Sequence, residues 1–184
     1  LSPFLEKSGY EVEIIDARVE DSWKALLKNS LTDALCLGIT AMSGSDIKGG
    51  IEAAMICRED SPQVPIIWGG PHATALSEQT AESQYVDIAV KGQGEEVMVE
   101  IVNRLHHRRD IYDIPGIAYS KDGNTFQNEV PNLIPFDYDV FPAYHLINAE
   151  KYRSHNNIVS YFASRGCPFS CTFCTTGTKG YSLR

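Results

Sequence analysis

One stretch decides the fold: Ala34-Leu35-Cys36-Leu37-Gly38-Ile39-Thr40-Ala41-Met42-Ser43-Gly44-Ser45. Its first half is a continuous apolar run, which is typical of a parallel β-strand covered on both faces. Its second half consists of small and mostly polar residues, which predict a loop at the carboxyl end of that strand. A helix from about Asp46 to Arg58 follows. The stretch therefore predicts one strand–loop–helix unit of an α/β fold.

Strands and helices alternate on both sides of this unit with short connections. Such alternation predicts an α/β fold with a doubly wound, Rossmann- or flavodoxin-like parallel sheet. The other predicted elements, in chain order, are a helix stopped by Gly9, a strand from Tyr10 to Ile15, a helix from Asp21 to Leu27, a strand at 64–68, a short helix capped by Ser77, a strand at 86–90, and a helix to about Leu105.

Small, glycine-rich loops follow three successive predicted strands. In open α/β sheets ligands bind at the carboxyl edge, where these loops meet. Glycine pairs after strands are also common simply because the backbone must turn sharply there, so both interpretations stay open. No Gly-x-Gly-x-x-Gly fingerprint follows the first predicted strand, which argues against a nicotinamide-binding domain. The loops are Thr40 to Ser45, Gly69-Gly70-Pro71-His72, and Gly92-Gln93-Gly94-Glu95.

Three of the five cysteines, Cys167, Cys171 and Cys174, lie within eight residues near the end of the chain. Converging thiolates suit a soft metal or an iron–sulfur cluster. A structural zinc site or a closed cluster is held by four ligands, so three thiolates leave one position open for a substrate or cosubstrate. Two alternatives remain: a zinc site completed by His145, His155 or a partner, and thiols that hold no ligand.

The composition excludes several classes of function. The chain has 184 residues and a net charge of −8, and it lacks the basic face that a general nucleic-acid or anionic-membrane binder needs. No apolar run approaches the roughly 20 residues that span a bilayer, and no signal peptide is visible. Cys36 and Cys57 lie in apolar segments and are predicted to be buried thiols, which favours a reducing cytoplasm.

The pattern changes twice along the chain, which predicts three parts. Residues 1–110 form the α/β domain, and residues 111–156 form a β-hairpin and a linker rich in proline and aromatic residues. The hairpin pairs Gly116–Tyr119 with Thr125–Asn128 around a glycine turn. Residues 157–184 begin a further domain, in which a strand at Ile158–Ala163 leads into the cysteine loop.

The cysteine spacing resembles the Cys-x-x-x-Cys-x-aromatic-Cys signature of the radical S-adenosylmethionine superfamily, with Phe173 at the aromatic position. The resemblance implies that Cys167, Cys171 and Cys174 hold a 4Fe-4S cluster. It further implies that the fourth iron chelates S-adenosylmethionine through its amino and carboxylate groups, with Phe173 packed near the adenine.

A wider resemblance covers nearly the whole chain. The order of Asp16, the three glycine-rich loops, a Pro-Gly-x-Ala hairpin and the cysteine loop is similar to that of cobalamin-binding radical S-adenosylmethionine enzymes. In that family a Rossmann-like domain holds cobalamin over the strand ends. The resemblance implies that the cobalamin-binding residues are Thr40, Met42, Ser43, Gly69, Gly70, Gly92, Gly94 and Glu95.

Two departures from the family pattern are visible. The cobalt-ligating pattern Asp-x-His-x-x-Gly is absent, although many radical members of the family also lack it. Thr40-x-Met42 stands where related domains carry Ser-x-Leu. His72 is interpreted as a local hydrogen-bonding group rather than as a cobalt ligand.

The family resemblance implies an enzyme that makes a 5′-deoxyadenosyl radical and acts on an unreactive carbon. The outcome would be methyl transfer or oxidative cyclisation, as in the anaerobic porphyrin cyclases of this family. Its expected partners are a small-molecule substrate and a one-electron reductant protein. The alternative from a different class is a non-catalytic cobalamin-binding module whose cysteines hold a structural zinc ion or are idle.

We expect the chain to be a fragment of a longer enzyme. The family places a strand before the first predicted helix and further β/α units of a partial barrel after Cys174. The fragment is therefore expected to have little activity by itself. The strand at Ile158–Ala163, or one from a second copy, is expected to fill the gap left in the sheet.

Overall fold

The structure is a computed structural model that describes residues 1–130, 141–152, 164–167, 169, 171, 172, 174 and 181–183. The predictions for Phe173, for His155, for the strand at Ile158–Ala163 and for much of the linker lie outside the described residues. The chain divides into two compact units. The first contains Leu1 and Ile15–Val130, and the second contains Ser2–Ile14 and Pro131–Arg184. The predicted domain limits at 110 and 156 remain predictions.

The first unit alternates strands and helices from α2 onward, as its sequence pattern predicts. Gly9, which follows helix α1 (Ser2–Lys7) of the second unit, adopts a φ of 86°, in keeping with a helix-ending glycine. The elements of the first unit are α2 (Trp23–Ser30), β1 (Leu37–Thr40), α3 (Ser45–Asp60), β2 (Ile66–Gly69), α4 (Pro71–Ala75), α5 (Ser77–Ala81), β3 (Ile88–Val90), α6 (Glu95–His106), β4 (Ile117–Lys121) and β5 (Asn124–Gln127).

Within the described residues, β1 to β5 form one sheet in the order of the sequence. β1 pairs with β2 and β2 with β3 in parallel, so the carboxyl ends of all three strands lie at the same edge. The predicted hairpin is confirmed as β4 and β5, and it continues the sheet because β4 pairs antiparallel with β3. The predicted α/β class is therefore confirmed, with a mostly parallel sheet that ends in an antiparallel hairpin.

Both faces of the sheet carry apolar side chains, because neighbouring residues along a strand point to opposite sides. One face presents Ile39, Trp68 and Ala89 to a core cluster that includes residues of α2 to α5. α3 approaches this face closely at Gly50, where an added Cβ would lie 2.7 Å from Cη2 of Trp68. The opposite face carries the buried Ile67 and Ile88, and on this face a Cβ at Gly38 would lie 3.8 Å from Cε of Met98, so α6 packs against it.

An ion pair fixes the amino ends of two central strands. The carboxylate of Asp87, just before β3, accepts hydrogen bonds from Nη2 of Arg58 at 2.7 Å and from the backbone N–H of Ile66 at 2.6 Å. Because Arg58 belongs to α3 and Ile66 begins β2, this one carboxylate joins a helix to two strands.

Two predictions for the start of the sheet are wrong. Residues 10–16 form no strand, because an alternating pattern becomes a strand only where a neighbouring strand pairs with it, and within the described part of the chain β1 pairs with β2 alone. The run from Ala34 to Ile39 is not covered on both faces. Leu35 is 43% exposed, and Gly38 and Thr40 are also exposed, as expected for an edge strand.

The described part of the second unit consists of short elements. It contains α1, two 3₁₀ turns (Tyr144–Leu146 and Ala149–Tyr152), and a pair of antiparallel strands, β6 (Ser164–Gly166) and β7 (Tyr181–Leu183). Nε2 of His145 lies 2.7 Å from the Glu6 carboxylate on α1. In the described residues no helix has both the length and the apolar character needed to cross a bilayer.

Candidate functional site

The candidate site is the edge of the sheet where β1, β2 and β3 end. All of the predicted cobalamin-binding residues of the first unit lie at these three strand ends or in the loops that follow them. Thr40 and Gly69 are the last residues of β1 and β2, and register pairs them side by side. The fold therefore brings together at one edge residues that are more than 50 positions apart in the sequence.

Backbone hydrogen bonds join the first two loops. The Ala41 N–H donates to the Gly69 carbonyl at 3.3 Å, and the His72 N–H donates to the Ala41 carbonyl at 3.2 Å. These bonds extend the β1–β2 ladder beyond the last strand residues. The two loops consequently leave the sheet as a connected rim.

A side-chain contact links the same two loops further out. Oγ of Ser43 and Nδ1 of His72 are 3.1 Å apart. Ser43 is exposed and His72 is half-buried. This contact agrees with the interpretation of His72 as a local hydrogen-bonding group, and it fixes the imidazole ring through Nδ1.

The third loop is tied to the second by a residue that the sequence did not single out. The Gly92 N–H donates to Oγ1 of Thr74 at 3.1 Å. Thr74 lies in α4, and no sequence motif marks it. Hydrogen bonds therefore connect the three loops of the rim into one continuous edge.

Glycine occurs at these positions of the rim for different structural reasons. Among the described residues, an added Cβ at Gly69 would meet no atom within 4 Å, so this position faces open space within the described part of the chain. At Gly70, φ is +89° and a Cβ would lie 2.7 Å from Oγ1 of Thr40. At Gly92, φ is +80° and a Cβ would lie 3.2 Å from Val130. Gly70 and Gly92 are therefore required by the turns themselves, whereas Gly69 keeps the edge accessible.

The remaining predicted residues differ in exposure. Met42 is 60% exposed, which is unusual for an apolar side chain on a polar loop, and it projects from the rim. Glu95, by contrast, is only 7% exposed and is the first residue of α6. A carboxylate at a helix N-terminus is favoured by the helix dipole, which gives Glu95 a structural role of its own.

Trp68 is a residue of this edge that the sequence interpretation missed. It precedes Gly69 in β2 and is 3% exposed. Among the described residues, its indole nitrogen Nε1 is the one buried side-chain nitrogen or oxygen that lacks a hydrogen-bond partner. Buried polar groups without a partner are uncommon, and each needs an explanation.

The cysteine loop lies in the second unit. The Cys174 N–H donates to the Cys171 carbonyl at 3.1 Å, which forms a tight turn with both side chains exposed, and Cys167 is half-buried. Among the described residues, which include these three cysteines, no three His, Cys, Asp or Glu side chains are arranged to hold a metal ion. The cluster ligands therefore stay a prediction.

Two other cysteines lie in the first unit: Cys57 is buried, as its apolar surroundings predicted, whereas Cys36 in the edge segment is only half-buried. Cys57 is fully buried, and its Sγ contacts the carbonyl oxygens of Ser61 and Val64 at 3.9 and 3.8 Å. Burial raises the pKa of the Cys36 thiol to about 11 and also raises the pKa of Cys57. Both groups are therefore thiols at neutral pH and are poor metal ligands.

Comparison with known families assigns the first unit. The family model described as the B12 binding domain matches residues 1–102, which is more than half of the chain. The chain belongs to the B12-binding domain family. The match includes β1, β2 and β3, and therefore the whole rim described above.

Curated relatives of this B12-binding domain include a methyltransferase and a cyclase. The chain is 31% identical over 181 residues to an uncharacterised methyltransferase of Pyrococcus horikoshii, covering 94% of this chain and 39% of that protein. It is 28% identical over 187 residues to the anaerobic magnesium-protoporphyrin IX monomethyl ester cyclase of Rubrivivax gelatinosus, covering 95% and 33%. The chain thus covers about a third to two fifths of the length of these relatives.

A solved structure shares the fold of this B12-binding domain. The radical S-adenosylmethionine methyltransferase TsrM of Kitasatospora setae, solved with cobalamin and a 4Fe-4S cluster bound, superimposes with a TM-score of 0.78 at 20% identity. The superposition covers 100% of this chain and 39% of that one. At 20% identity the superposition is evidence of a shared fold alone.

Proposed function

We propose that the chain binds cobalamin at the rim formed by the loops after β1, β2 and β3. The observation that carries the proposal is the B12-binding domain match over residues 1–102, which contains this rim. Ligands of open α/β sheets bind at this edge. The proposal therefore places the cofactor where both the family and the fold expect it.

The residues of the rim fit a large, mostly apolar and amide-bearing cofactor. Gly69 leaves open space at the strand end, and Met42 offers an exposed apolar side chain. Trp68 has a buried N–H without an acceptor. In this proposal Thr40, Met42, Ser43, Gly69, Gly70, Gly92, Gly94 and Glu95 form the cofactor-binding loops.

We further propose that the whole protein is a radical S-adenosylmethionine enzyme. Cys167, Cys171 and Cys174 supply the donor set of three thiolates that a 4Fe-4S cluster with one open iron requires. The relatives include both methyltransferases and cyclases, and methyl transfer and oxidative cyclisation are therefore the two candidate outcomes. A small-molecule substrate and a one-electron reductant protein are the partners that such chemistry needs.

The chemistry and the protein's contribution can be separated. When bound, cobalamin supplies a cobalt that can carry a methyl group, and the cluster supplies an electron for cleavage of S-adenosylmethionine. The chain supplies position, because hydrogen bonds between neighbouring loops hold the rim together. Such pre-organisation lowers the entropy that binding would otherwise cost.

Binding of hydroxocobalamin to the 184-residue chain tests the first proposal. We expect about one corrinoid per chain after desalting, measured by visible absorption. Gly69→Val places a branched side chain at the rim, at a position where a Cβ would meet no atom of the described residues within 4 Å, and we expect it to weaken binding at least about tenfold. Gly49→Ala, in an open position of α3, is the matched control and should bind like the wild type.

The second candidate is a corrinoid-binding module without a catalytic cluster. It is favoured by the family match itself, which covers residues 1–102 and therefore supports corrinoid binding alone. Anaerobic reconstitution with iron and sulfide separates the two candidates. About four irons per chain would support the enzyme. Corrinoid without iron would support the module, and bound zinc would support a structural site.

A further inference from the structure

Trp68 carries an unsatisfied hydrogen-bond donor inside the folded protein. The residue is 3% exposed, and Nε1 has no partner among the described residues. Burying an unpaired donor is costly, because it loses its hydrogen bonds to water and gains none in return. A phenylalanine at this position would fill most of the same space without that cost. The presence of the indole N–H therefore indicates a partner that comes from outside the chain.

The location of Trp68 shows where such a partner would come from. Trp68 pairs in register with Ile39 of β1 and Ala89 of β3, so it lies in the middle of the parallel part of the sheet. The next residue, Gly69, ends β2 and faces open space. Trp68 thus immediately precedes the residue that ends β2 at the edge where the cofactor is proposed to bind.

The indole ring is held in one place by its neighbours. A Cβ at Gly50 would be 2.7 Å from Cη2 and 3.1 Å from Cζ2 of Trp68, so α3 lies directly against the benzenoid edge of the ring. The absence of a side chain at Gly50 makes this approach possible. A ring packed in this way presents its N–H without further ordering, which favours a directed hydrogen bond to a ligand.

We propose that Trp68 is a cofactor-positioning residue whose indole N–H donates a hydrogen bond to the bound corrinoid. This inference rests on the proposed function. The acceptor is an oxygen or nitrogen atom of the cofactor. Two parts of cobalamin carry such atoms: the amide side chains of the corrin ring, and the nucleotide tail with its phosphate and base. Trp68 thereby connects the buried core of the sheet to the ligand.

The direct test is the indole N–H resonance of Trp68 in ¹H–¹⁵N spectra. Trp23 is the other tryptophan of the chain, and Trp23→Phe leaves Trp68 as the sole reporter. Trp23 is half-buried in α2 and is not one of the residues of the three rim loops. We expect the Trp68 resonance to move on addition of hydroxocobalamin, with the downfield shift of a newly formed hydrogen bond. An unchanged resonance at saturating corrinoid would overturn the proposal.

The energetic test replaces Trp68 by an isostere that lacks the N–H. In the Trp23→Phe chain, biosynthetic incorporation of benzothienylalanine exchanges the N–H for sulfur at nearly constant shape. We expect an unchanged or higher melting temperature and a dissociation constant for hydroxocobalamin raised about tenfold, as for the loss of one buried hydrogen bond. Trp68→Phe is the second variant and should show the same loss of affinity.

The outcomes separate this inference from the proposed function. If the wild-type chain binds no corrinoid, the proposed function fails and the inference fails with it. If the wild type binds and the isostere binds equally tightly, the inference alone fails. Titration with cobinamide, which lacks the nucleotide, identifies the acceptor. A tenfold loss retained with cobinamide assigns it to the corrin amides, and a loss seen only with cobalamin assigns it to the nucleotide tail.

Discussion

At the scale of single residues, Gly70 shows how the rim is built. Its φ of +89° is unfavourable for any residue with a side chain, and its Cα faces Oγ1 of Thr40 and the backbone of Ala41. Gly69, its neighbour, has neither constraint. Two adjacent glycines that look equivalent in the sequence therefore serve different purposes, one for the turn and one for access.

Alanine substitution at Gly70 and at Gly69 should change the free energy of unfolding by different amounts. Gly70→Ala combines a left-handed backbone with a contact at 2.7 Å, and we expect it to lower the free energy of unfolding by about 2 kcal/mol. Gly69→Ala should leave the free energy of unfolding within about 0.5 kcal/mol of the wild type. Urea denaturation followed by circular dichroism measures both values. Equal stability of the two variants would contradict the described geometry.

Thiol reactivity at Cys36 should depend on pH in a particular direction. Burial raises the pKa of Cys36 to about 11. In the folded state the thiol therefore stays protonated at pH values between the ordinary pKa of a thiol and about 11. Because the thiolate is the nucleophile, alkylation by iodoacetamide should be slow at pH 8 and rise about tenfold per pH unit up to about pH 11. Mass spectrometry of tryptic peptides follows the reaction.

The exposed Cys171 serves as the internal comparison for Cys36. In the folded chain Cys171 should be modified first, and in urea the two cysteines should react at similar rates, since unfolding removes the burial. Rapid modification of Cys36 at pH 8 in the native chain would show that its environment is more open than described.

At the scale of elements, the packing of α3 on the sheet depends on one of two neighbouring glycines. Gly49 points into open space, whereas a Cβ at Gly50 would meet Trp68 and Ile39. Gly49→Ala should stabilise the protein by about 1 kcal/mol, because alanine favours helix. Gly50→Ala should destabilise it by about 1 kcal/mol, since overpacking outweighs the same gain in propensity. Thermal unfolding compares the pair.

If Gly50→Ala proved as stable as Gly49→Ala, α3 would not contact the indole ring. That result would also weaken the argument that Trp68 is held in one orientation. The two alanine variants thus check a premise of the cofactor-positioning role without any cofactor present.

The sequence predicted most elements because their signals are local. The runs at 64–68 and 86–90 and the glycine turn of the hairpin all became strands or turns near their expected positions. The prediction of a strand at Tyr10–Ile15 was wrong because a strand depends on a partner strand, which a local pattern does not reveal. The prediction that Ala34–Ile39 is covered on both faces was wrong for a related reason, because the position of a strand within a sheet is set by the topology of the whole sheet.

The loops of the candidate site were predicted from their glycines and from the family resemblance, which also gave Thr40, Met42, Ser43 and Glu95, and the cofactor-binding role of these residues remains a prediction. Gly69, Gly70 and Gly92 were found because turns and close approaches require glycine. Thr74 and Trp68 were missed because a threonine in a helix and a tryptophan in an apolar strand are ordinary in sequence. Their roles follow from a hydrogen bond to Gly92 and from the lack of one at Nε1, which are visible only in three dimensions.

At the scale of the whole molecule, the two proposed cofactor sites belong to different compact units. The rim lies within Ile15–Val130, and the cysteine loop lies within Pro131–Arg184. We therefore expect the two cofactors to load independently. Replacement of Cys167, Cys171 and Cys174 by alanine should abolish iron binding after reconstitution and leave the dissociation constant for hydroxocobalamin within about twofold of the wild type.

The reciprocal variant completes this experiment. Gly69→Val should reduce corrinoid content and leave iron content unchanged. Loss of both cofactors in either variant would show that one site depends on the other. Iron is measured by a colorimetric chelator, and corrinoid by absorption after release with cyanide.

The rim of the sheet is fastened mainly through main-chain atoms: the Ala41 and His72 amides donate to carbonyls, and the Gly92 amide donates to a single hydroxyl. Outward-projecting positions such as Met42 contribute nothing to that fastening. Mutation can therefore alter which ligand the domain prefers while its architecture persists. A scaffold of this kind can diversify into enzymes with unlike substrates by changing side chains alone.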